Sequence, residues 1–370
     1  MRVPFLDLYA AYSELQSQID AAIARVSQSG WYVLGPEVEA FERAYADHCG
    51  AASCVGVANG LDALHIGLLA LGVGPGDEVI VPSNTYIATW LAVTQTGATV
   101  VPVEPDPSTH NLDPALIEQA ITPRTKAILP VHLYGLPADM DPICAIAKRH
   151  GLAVLEDAAQ AHGARYKGSR VGSHGDLVAW SFYPSKNLGA MGDAGGLTLK
   201  HDTLTDKVKA LRNYGSARRY VNDMRGLNSR LDPMQAAVLG VKLNLLESWN
   251  QRRAETANHY LQHLGKVKGL TLPRVPNWAE SAWHLFVVRH PHRDRLQQAL
   301  AERGIDTLIH YPIPPHLQQA YADMGWQQGA FPIAEQLAKE VLSLPIGPHI
   351  SVEQRARVVE AVLEVEDLVC

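Results

Sequence analysis

The sequence predicts an α/β protein, a large domain on a mostly parallel sheet followed by a small α+β C-terminal domain. Three observations carry this. Between about residues 50 and 200, β-rich runs alternate with helical patterns, as crossover connections require. Those runs are continuously Val, Ile and Leu rather than strictly alternating, the pattern of strands buried on both faces. At 370 residues the chain is long enough for a sizeable core, most naturally divided into a large and a small part.

Each element follows in order. SCVGVAN (Ser53–Asn59) leads into LDALHIGLLALG, and DEVIVPS (Asp77–Ser83) into NTYIATWLAVTQTG. TVVPVEP precedes DPALIEQAI, and TKAILPVHL precedes DPICAIAKRHG. LAVLEDAA (Leu152–Ala159), LVAWSFY (Leu177–Tyr183) and GGLTLK supply further strands. From about Asp232 a long helical stretch, PMQAAVLGVKLNLLESWNQRRAETANHYLQHL, leads into the smaller portion. There WHLFVVRH reads as a strand, RDRLQQALAERG as a helix and HYPIPPH as a Pro-bound loop. The last helix, SVEQRARVVEAVLEV, opens on a capping Ser with Glu close behind. These elements place the large domain at residues 1–245 and the small one at 246–370, the N-terminal segment packing on the small domain.

Composition narrows the function. A net charge of −6 argues against nucleic-acid binding, which leaves clustered basic charge as its footprint. Cys49, Cys54, Cys144 and Cys370 show no zinc-type or CxxC spacing and read as reduced thiols. MRVPFLDLYAAYSEL lacks the apolar core of a signal peptide, and no apolar run reaches membrane-spanning length. The expectation is a cytoplasmic protein with no membrane partner. GVGPGD precedes a strand instead of joining strand to helix, so it lacks the context of a dinucleotide fingerprint. His310 and His316 flank a Pro-rich loop, but without a supporting carboxylate or cysteine pattern they predict no metal site.

Chemistry gathers at two strand ends. Asp157 closes LAVLED, with Gln160 and His162 just beyond, and Lys186 follows LVAWSFY, whose end carries Ser181. Neighbouring parallel strands would deliver carboxylate and amine to one edge of the sheet, where open α/β sheets bind ligands. Pyridoxal 5'-phosphate chemistry needs this set. A desolvated lysine amine is nucleophilic toward the cofactor aldehyde, and an aspartate keeps the pyridine nitrogen protonated. The phosphate needs hydroxyls and free N–H groups at a helix N-terminus, which Ser181 and Gly60–Leu61–Asp62 offer. Tyr86, at the start of the next helix, can stack on the ring.

The ordered series PFLDL, GWYVLGPEVEAFE, ANGLDAL, GDEVIVPSNTYIATW, PVHLYGLPADMD, EDAAQAHGA, SFYPSKNLGAMGDAGG, LRNYGS, GLNSRLDPMQAA and IHYPIPPH resembles the DegT–StrS family of nucleotide-sugar aminotransferases. The resemblance spans nearly the whole chain. It implies the aspartate-aminotransferase-like (type I) fold with a seven-stranded mixed sheet, in a homodimer whose sites lie at the subunit interface. It implies Lys186 as the Schiff-base lysine, Asp157 as partner of the pyridine nitrogen and Gln160 as partner of the ring hydroxyl. Ser181 matches a phosphate ligand, Asn228 a phosphate ligand supplied by the partner subunit, and Tyr86 the stacking ring. NGLDAL departs from the SGTDAL of many members: Leu61 has no hydroxyl, so the phosphate must rely on backbone N–H groups, Ser181 and Asn228.

The resemblance also implies L-glutamate as donor and a keto-sugar nucleotide as acceptor. VPSNTYIATWLAVTQTGATVVPVEPD and LRNYGSARRYVND are most similar to members acting at C-3 of dTDP-3-keto-6-deoxyhexoses; action at C-4 of a dTDP- or UDP-4-keto-6-deoxyhexose is the alternative. Family dehydratases carry histidine in place of the lysine, whereas Lys186 is intact. A regulator retaining an idle pocket is the remoter reading. In the locally basic LRNYGSARRYVNDMRGLNSR, Arg219 and Tyr220 are candidate substrate contacts, and Tyr183 and Tyr311 candidates for the sugar pocket.

Overall fold

The structure, a computed structural model, describes residues 1–369; Cys370 lies outside the described residues. The chain opens with helices α1 (Leu8–Ser29) and α2 (Pro36–Cys49). The alternating region follows: β1 (Ser53–Val57), α3 (Gly60–Ala70), β2 (Glu78–Pro82), α4 (Ala88–Gln95), β3 (Thr99–Val103), β4 (Thr125–Ile128), α5 (Met140–His150) and β5 (Ala153–Asp157). The short strands β6 (Arg165–Tyr166) and β7 (Ser169–Arg170) precede β8 (Leu177–Ser181), β9 (Gly195–Leu199) and α6 (Thr205–Leu211). A small hairpin, β10 (Ser216–Arg218) and β11 (Val221–Asn222), leads to α7 (Pro233–Leu243) and α8 (Leu246–Leu264). The remainder comprises β12 (Ala279–Glu280), β13 (Phe286–Arg289), α9 (Arg293–Glu302), α10 (Pro332–Glu340), β14 (Val341–Leu344) and α11 (Val352–Val369).

Seven strands form one sheet in the order β1-β9-β8-β5-β4-β2-β3. All run parallel except β9, which is antiparallel to both its neighbours. The exception has a covalent cause: no helix lies between β8 and β9 to carry the chain back across the sheet, so the strand returns antiparallel.

Burial on both faces explains the continuous apolar runs. Along β5, Val154 packs with Ile143 and Ile146 of α5, while Leu155 faces Leu64 and Ile66 of α3. Along β8, Val178 and Trp180 meet Phe41 and Tyr45 of α2, while Ala179 joins the α3 side. A separate cluster gathers Phe286, Val288, Leu342 and Leu344 against α8, α9 and α11. Val3 is buried there too and pairs with Ile305, tying the N-terminal segment to this cluster.

Two details of the helices differ from or refine the sequence reading. The helical stretch after Asp232 is two helices, broken at Asn244–Leu245. The Asn244 amide bonds back to the Gly240 carbonyl (3.3 Å), the local competition that makes Asn a poor interior residue. The last helix is closed by a full capping box. Ser351 Oγ accepts from Gln354 N (3.1 Å), and Gln354 Oε1 accepts from Ser351 N (2.9 Å).

A buried ion pair locks the sheet edge that bears α3. Arg212 pairs with Glu42 and donates to the Gly56 carbonyl (2.7 Å), while Glu42 accepts from Gly56 N (2.8 Å). Arg212→Met would leave the Glu42 charge buried without its cation. Unfolding free energy from urea titration should fall by about 3–5 kcal/mol; a loss typical of a surface pair, below about 1 kcal/mol, would contradict this.

Candidate active site

The parallel strands of the sheet present their carboxyl ends along one edge, and a pocket of about 590 Å³ opens there. Five loops build it. Beyond β1 come Asn59, Gly60 and Leu61; beyond β2, Thr85 and Tyr86; beyond β4, Val131 and Leu133. Asp157 and Gln160 follow β5, and Ser181, Tyr183, Ser185 and Lys186 follow β8. His284, His310 and Tyr311 close it from the C-terminal part.

The adjacency read from the sequence holds. Asp157 of β5 pairs in register with Ala179 of β8, so Asp157 and the turn after Ser181 share an edge. The Lys186 turn is clamped on both sides. Lys186 N donates to the Tyr183 carbonyl (2.8 Å), and Lys242 of α7 donates to the Gly189 carbonyl (2.7 Å). Asn187 donates to Asn250 Oδ1 (2.8 Å) and the Ala282 carbonyl (2.7 Å), holding the turn against α8. A lysine on so fixed a backbone has little freedom beyond its own rotamers.

Electrostatics in the pocket are dominated by loss of water. Desolvation brings Lys186 down to about 8, with Asp157 pulling the other way. Desolvation raises the Asp157 carboxyl, against hydrogen bonds from Ala159 N (3.2 Å) and Thr89 Oγ1 (2.9 Å) and the charge of Lys186. His310 is lowered to about 4 by burial and then by Lys186, and His284 well below its ordinary value for the same leading reason. Both imidazoles are therefore neutral near pH 7.

The pocket fits a phosphorylated pyridine aldehyde. Helix α3 starts at Gly60; its cap Asn59 accepts from Asp62 N (2.8 Å), and no described group accepts from Gly60 N or Leu61 N. Those donors and the Ser181 hydroxyl form an anion cradle. A Cβ at position 60 would lie 2.6 Å from the Ser181 Cβ, so only glycine permits the close approach. Tyr86 is 55% exposed, within 5.2 Å of the Tyr311 ring centroid, leaving its face free for a planar ligand.

Gln160 is placed in the pocket with its amide engaged, Oε1 by Tyr134 N (2.6 Å) and Nε2 by the Tyr311 hydroxyl (3.0 Å). Gly60, Leu61, Tyr86, Asp157, Gln160, Ser181, Tyr183, Lys186 and Tyr311 thus converge. Arg219, Tyr220 and Asn228 do not. Arg219 and Tyr220 form the two-residue tip of the β10–β11 hairpin, where Tyr220 is 86% exposed and the Arg219 guanidinium lies 4.9 Å from its ring centroid. Asn228 is exposed and bridges Asn213 through the backbone. No loop of the same chain folds these three residues over the pocket.

Sequence reasoning missed Thr85, Thr89, His284 and the pocket role of His310. Thr85 Oγ1 and Thr89 Oγ1 are 2.8 Å apart and lead to Asp157. Their i, i+4 spacing in TYIAT was an available signal. His284 and His310 arrive from sequence-distant loops and left none. His316, in contrast, is buried against Glu335 (3.0 Å) away from the pocket.

Comparison with known proteins agrees with this geometry. The profile of the DegT/DnrJ/EryC1/StrS aminotransferase family matches residues 13–363. A protein of Saccharopolyspora erythraea named "Erythromycin biosynthesis sensory transduction protein EryC1" is 60% identical over 97% of this chain and 98% of its own length. A "dTDP-3-amino-3,4,6-trideoxy-alpha-D-glucose transaminase" of Streptomyces venezuelae is 56% identical over 98% of this chain and 96% of its own. The crystal structure of S. venezuelae DesV in complex with a ketimine intermediate superposes with a TM-score of 0.97 at 55% identity, covering 99% of each chain.

The depressed Lys186 sets a pH dependence. Its free base is the form present above about 8, so capture of added pyridoxal 5'-phosphate by cofactor-free protein should accelerate as pH rises through 8 and then level off. Stopped-flow absorbance checks this; a rate still climbing at 10.5, the ordinary lysine value, would contradict it.

Proposed function

The chain belongs to the DegT/DnrJ/EryC1/StrS aminotransferase family, and from that membership we propose that it aminates C-3 of a dTDP-linked 3-keto-6-deoxyhexose. The product would be a dTDP-3-amino-3,6-dideoxyhexose, and L-glutamate the donor, within deoxyaminosugar biosynthesis. The observation that carries the reading is the convergence of Lys186, Asp157, Gln160 and Ser181 in one pocket, the full reacting set. Relatives include one named for sensory transduction, but an idle pocket would be expected to lose a member of that set.

Pyridoxal 5'-phosphate is the cofactor; bound, it supplies the electron-accepting ring on which the amino group is carried from donor to acceptor. Gly60 N, Leu61 N and Ser181 Oγ would hold its phosphate, and Gln160 its ring hydroxyl. Asp157, steadied by Thr89, would take the ring nitrogen; a cationic N–H placed there would offset the desolvation that raises the free acid. Tyr86 covers one ring face. Lys186 Nζ would hold the cofactor aldehyde and, as a free amine, would take a proton from the donor's α-carbon and return one to the acceptor carbon. Its depressed basicity suits both directions near neutral pH.

We assign residues 1–245 and 246–370 to two domains on the break between α7 and α8. A cytoplasmic homodimer is part of the same reading; no described helix is long and apolar enough to cross a membrane. The dimer accounts for three predicted residues that stay away from their own pocket: Arg219, Tyr220 and Asn228 would serve the partner's site, the first two toward the diphosphate and the third toward the cofactor phosphate.

Purified protein should yield amino-sugar from 3-keto but not 4-keto dTDP-6-deoxyhexose, with Lys186→Ala folded and unable to turn over. Product from the 4-keto substrate alone, by mass spectrometry, reverses the regiochemistry. Loss of one guanidinium–phosphate contact in Arg219→Ala should raise KM for the sugar nucleotide about tenfold with little change in kcat; an unchanged KM removes Arg219 from the diphosphate site.

A further inference from the structure

A second cavity, of about 380 Å³, shares three wall residues with the active-site pocket: Ser185, His284 and His310. Its other walls include Phe5 and Leu6 of the N-terminal segment, Leu308, Arg253 and Asp306. Ser185 immediately precedes Lys186, so the cavity adjoins the turn that carries the reacting amine.

Three arginines are buried among the described residues: Arg212, Arg253 and Arg293. Arg212 faces Glu42, and Arg293 faces Asp294 while also donating to the carbonyls of Ala338 and Val341. Arg253, 3% exposed, has no carboxylate. Its Nη1 reaches the carbonyls of Trp283 (3.3 Å), His284 (3.3 Å) and Ile346 (3.4 Å), all at the long end of the hydrogen-bond range. Its Nε has no partner at all. Asp306, the acid in the cavity wall, pairs with the exposed Arg2 (3.3 Å) instead.

A purely structural cross-link would use Nη1 and leave the charge uncompensated, which is costly for a buried group. The shared wall offers no other cation. His284 Nδ1 faces Asn187 Oδ1 (3.1 Å), an oxygen that can only accept, so Nδ1 carries the proton and Nε2 the lone pair. His310 Nδ1 is engaged by the Ser343 hydroxyl (2.8 Å). The cavity thus presents one guanidinium without a carboxylate partner, its only acid, Asp306, being already paired with Arg2, and it adjoins the turn that carries the amine through Ser185.

We propose that this cavity is the subsite for the distal carboxylate of a dicarboxylic amino donor, with Arg253 as its counterion. The inference rests on the aminotransferase reading above and deepens it. A planar guanidinium binds carboxylate through paired N–H groups. A donor whose α-amine lies at Lys186 and whose side chain ends in a carboxylate then fills both compartments, while a monocarboxylic donor leaves Arg253 uncompensated.

Two variants test this in the cofactor-loaded enzyme. Arg253→Lys keeps the charge and loses the fork. Leu308→Trp occludes the cavity from a residue that is 46% exposed, guarding against a folding defect in the first. Titration calorimetry with glutarate should show binding to the unmodified enzyme, weakened about tenfold or more in both variants. Rapid-mixing measurement of the first half-reaction should show the same loss for L-glutamate and none for L-2-aminobutyrate. The proposal falls if glutarate does not bind, if Leu308→Trp leaves its affinity unchanged, if both donors weaken equally, or if inorganic phosphate competes as well as glutarate. An unmodified enzyme that takes an amino group from no donor would sink the aminotransferase reading itself, a distinct outcome.

Discussion

The burial of one amine beside one acid, at a common edge of two hydrogen-bonded strands, is the constraint on which this structure turns. The mutual attraction of Lys186 and Asp157 would by itself hold both ionised. Desolvation is the larger effect on each, lowering the lysine and raising the acid. Such a pair is stable only where the backbone leaves it no alternative, and the β5–β8 register supplies that compulsion. A slip of one residue would turn Asp157 to the opposite face of the sheet.

Other polar features of the fold serve the same edge. Gly60 lets α3 start against Ser181, and Gly195 meets the Asn59 carbonyl so closely that a Cβ there would sit 2.3 Å from it. The antiparallel strand β9, wedged between β1 and β8, therefore fixes the distance between the anion cradle and the lysine turn. The Glu42–Arg212 pair grips Gly56 from the outer side of β1, and Lys242 grips Gly189 beyond the lysine. These buried charges contribute position more than stability, since a buried ion pair is often no more stable than an apolar replacement.

What the sequence disclosed follows the range of the interactions. Strand ends, the α3 cap and the Ser351 cap are local, and LAVLED, NGLDAL and SVEQ contain their own signals. The residues of GGLTLK do not carry the direction of β9; it depends on the absence of a crossover helix after LVAWSFY, and only the family resemblance implied a mixed sheet. The break at Asn244–Leu245 hides inside an unbroken amphipathic pattern and depends on one amide turning back on its own helix. His284 and His310 reach the pocket from loops far along the chain, where no periodicity marks them. Arg253 is hidden in a run of charged residues, NQRRAE, that reads as a solvated helix face; only packing shows that its neighbour Arg252 meets Glu14 near the surface while Arg253 is enclosed.

Charge placement then argues for a division of labour. The pocket of a single chain holds Lys186, Asp157 and neutral histidines, but no arginine. A sugar nucleotide brings two phosphate charges that such a rim would bind poorly, and the Arg219 guanidinium stands on the exposed hairpin tip, away from the pocket of its own chain. Holding that cation off its own site avoids a repulsion that would depress Lys186 further. In the proposed homodimer a second copy of the chain would supply it from outside, with the substrate's phosphates in place to neutralise it. On the proposed reading the diphosphate would be held by a guanidinium that never loses its proton, apart from an amine that sits near 8 and can move one.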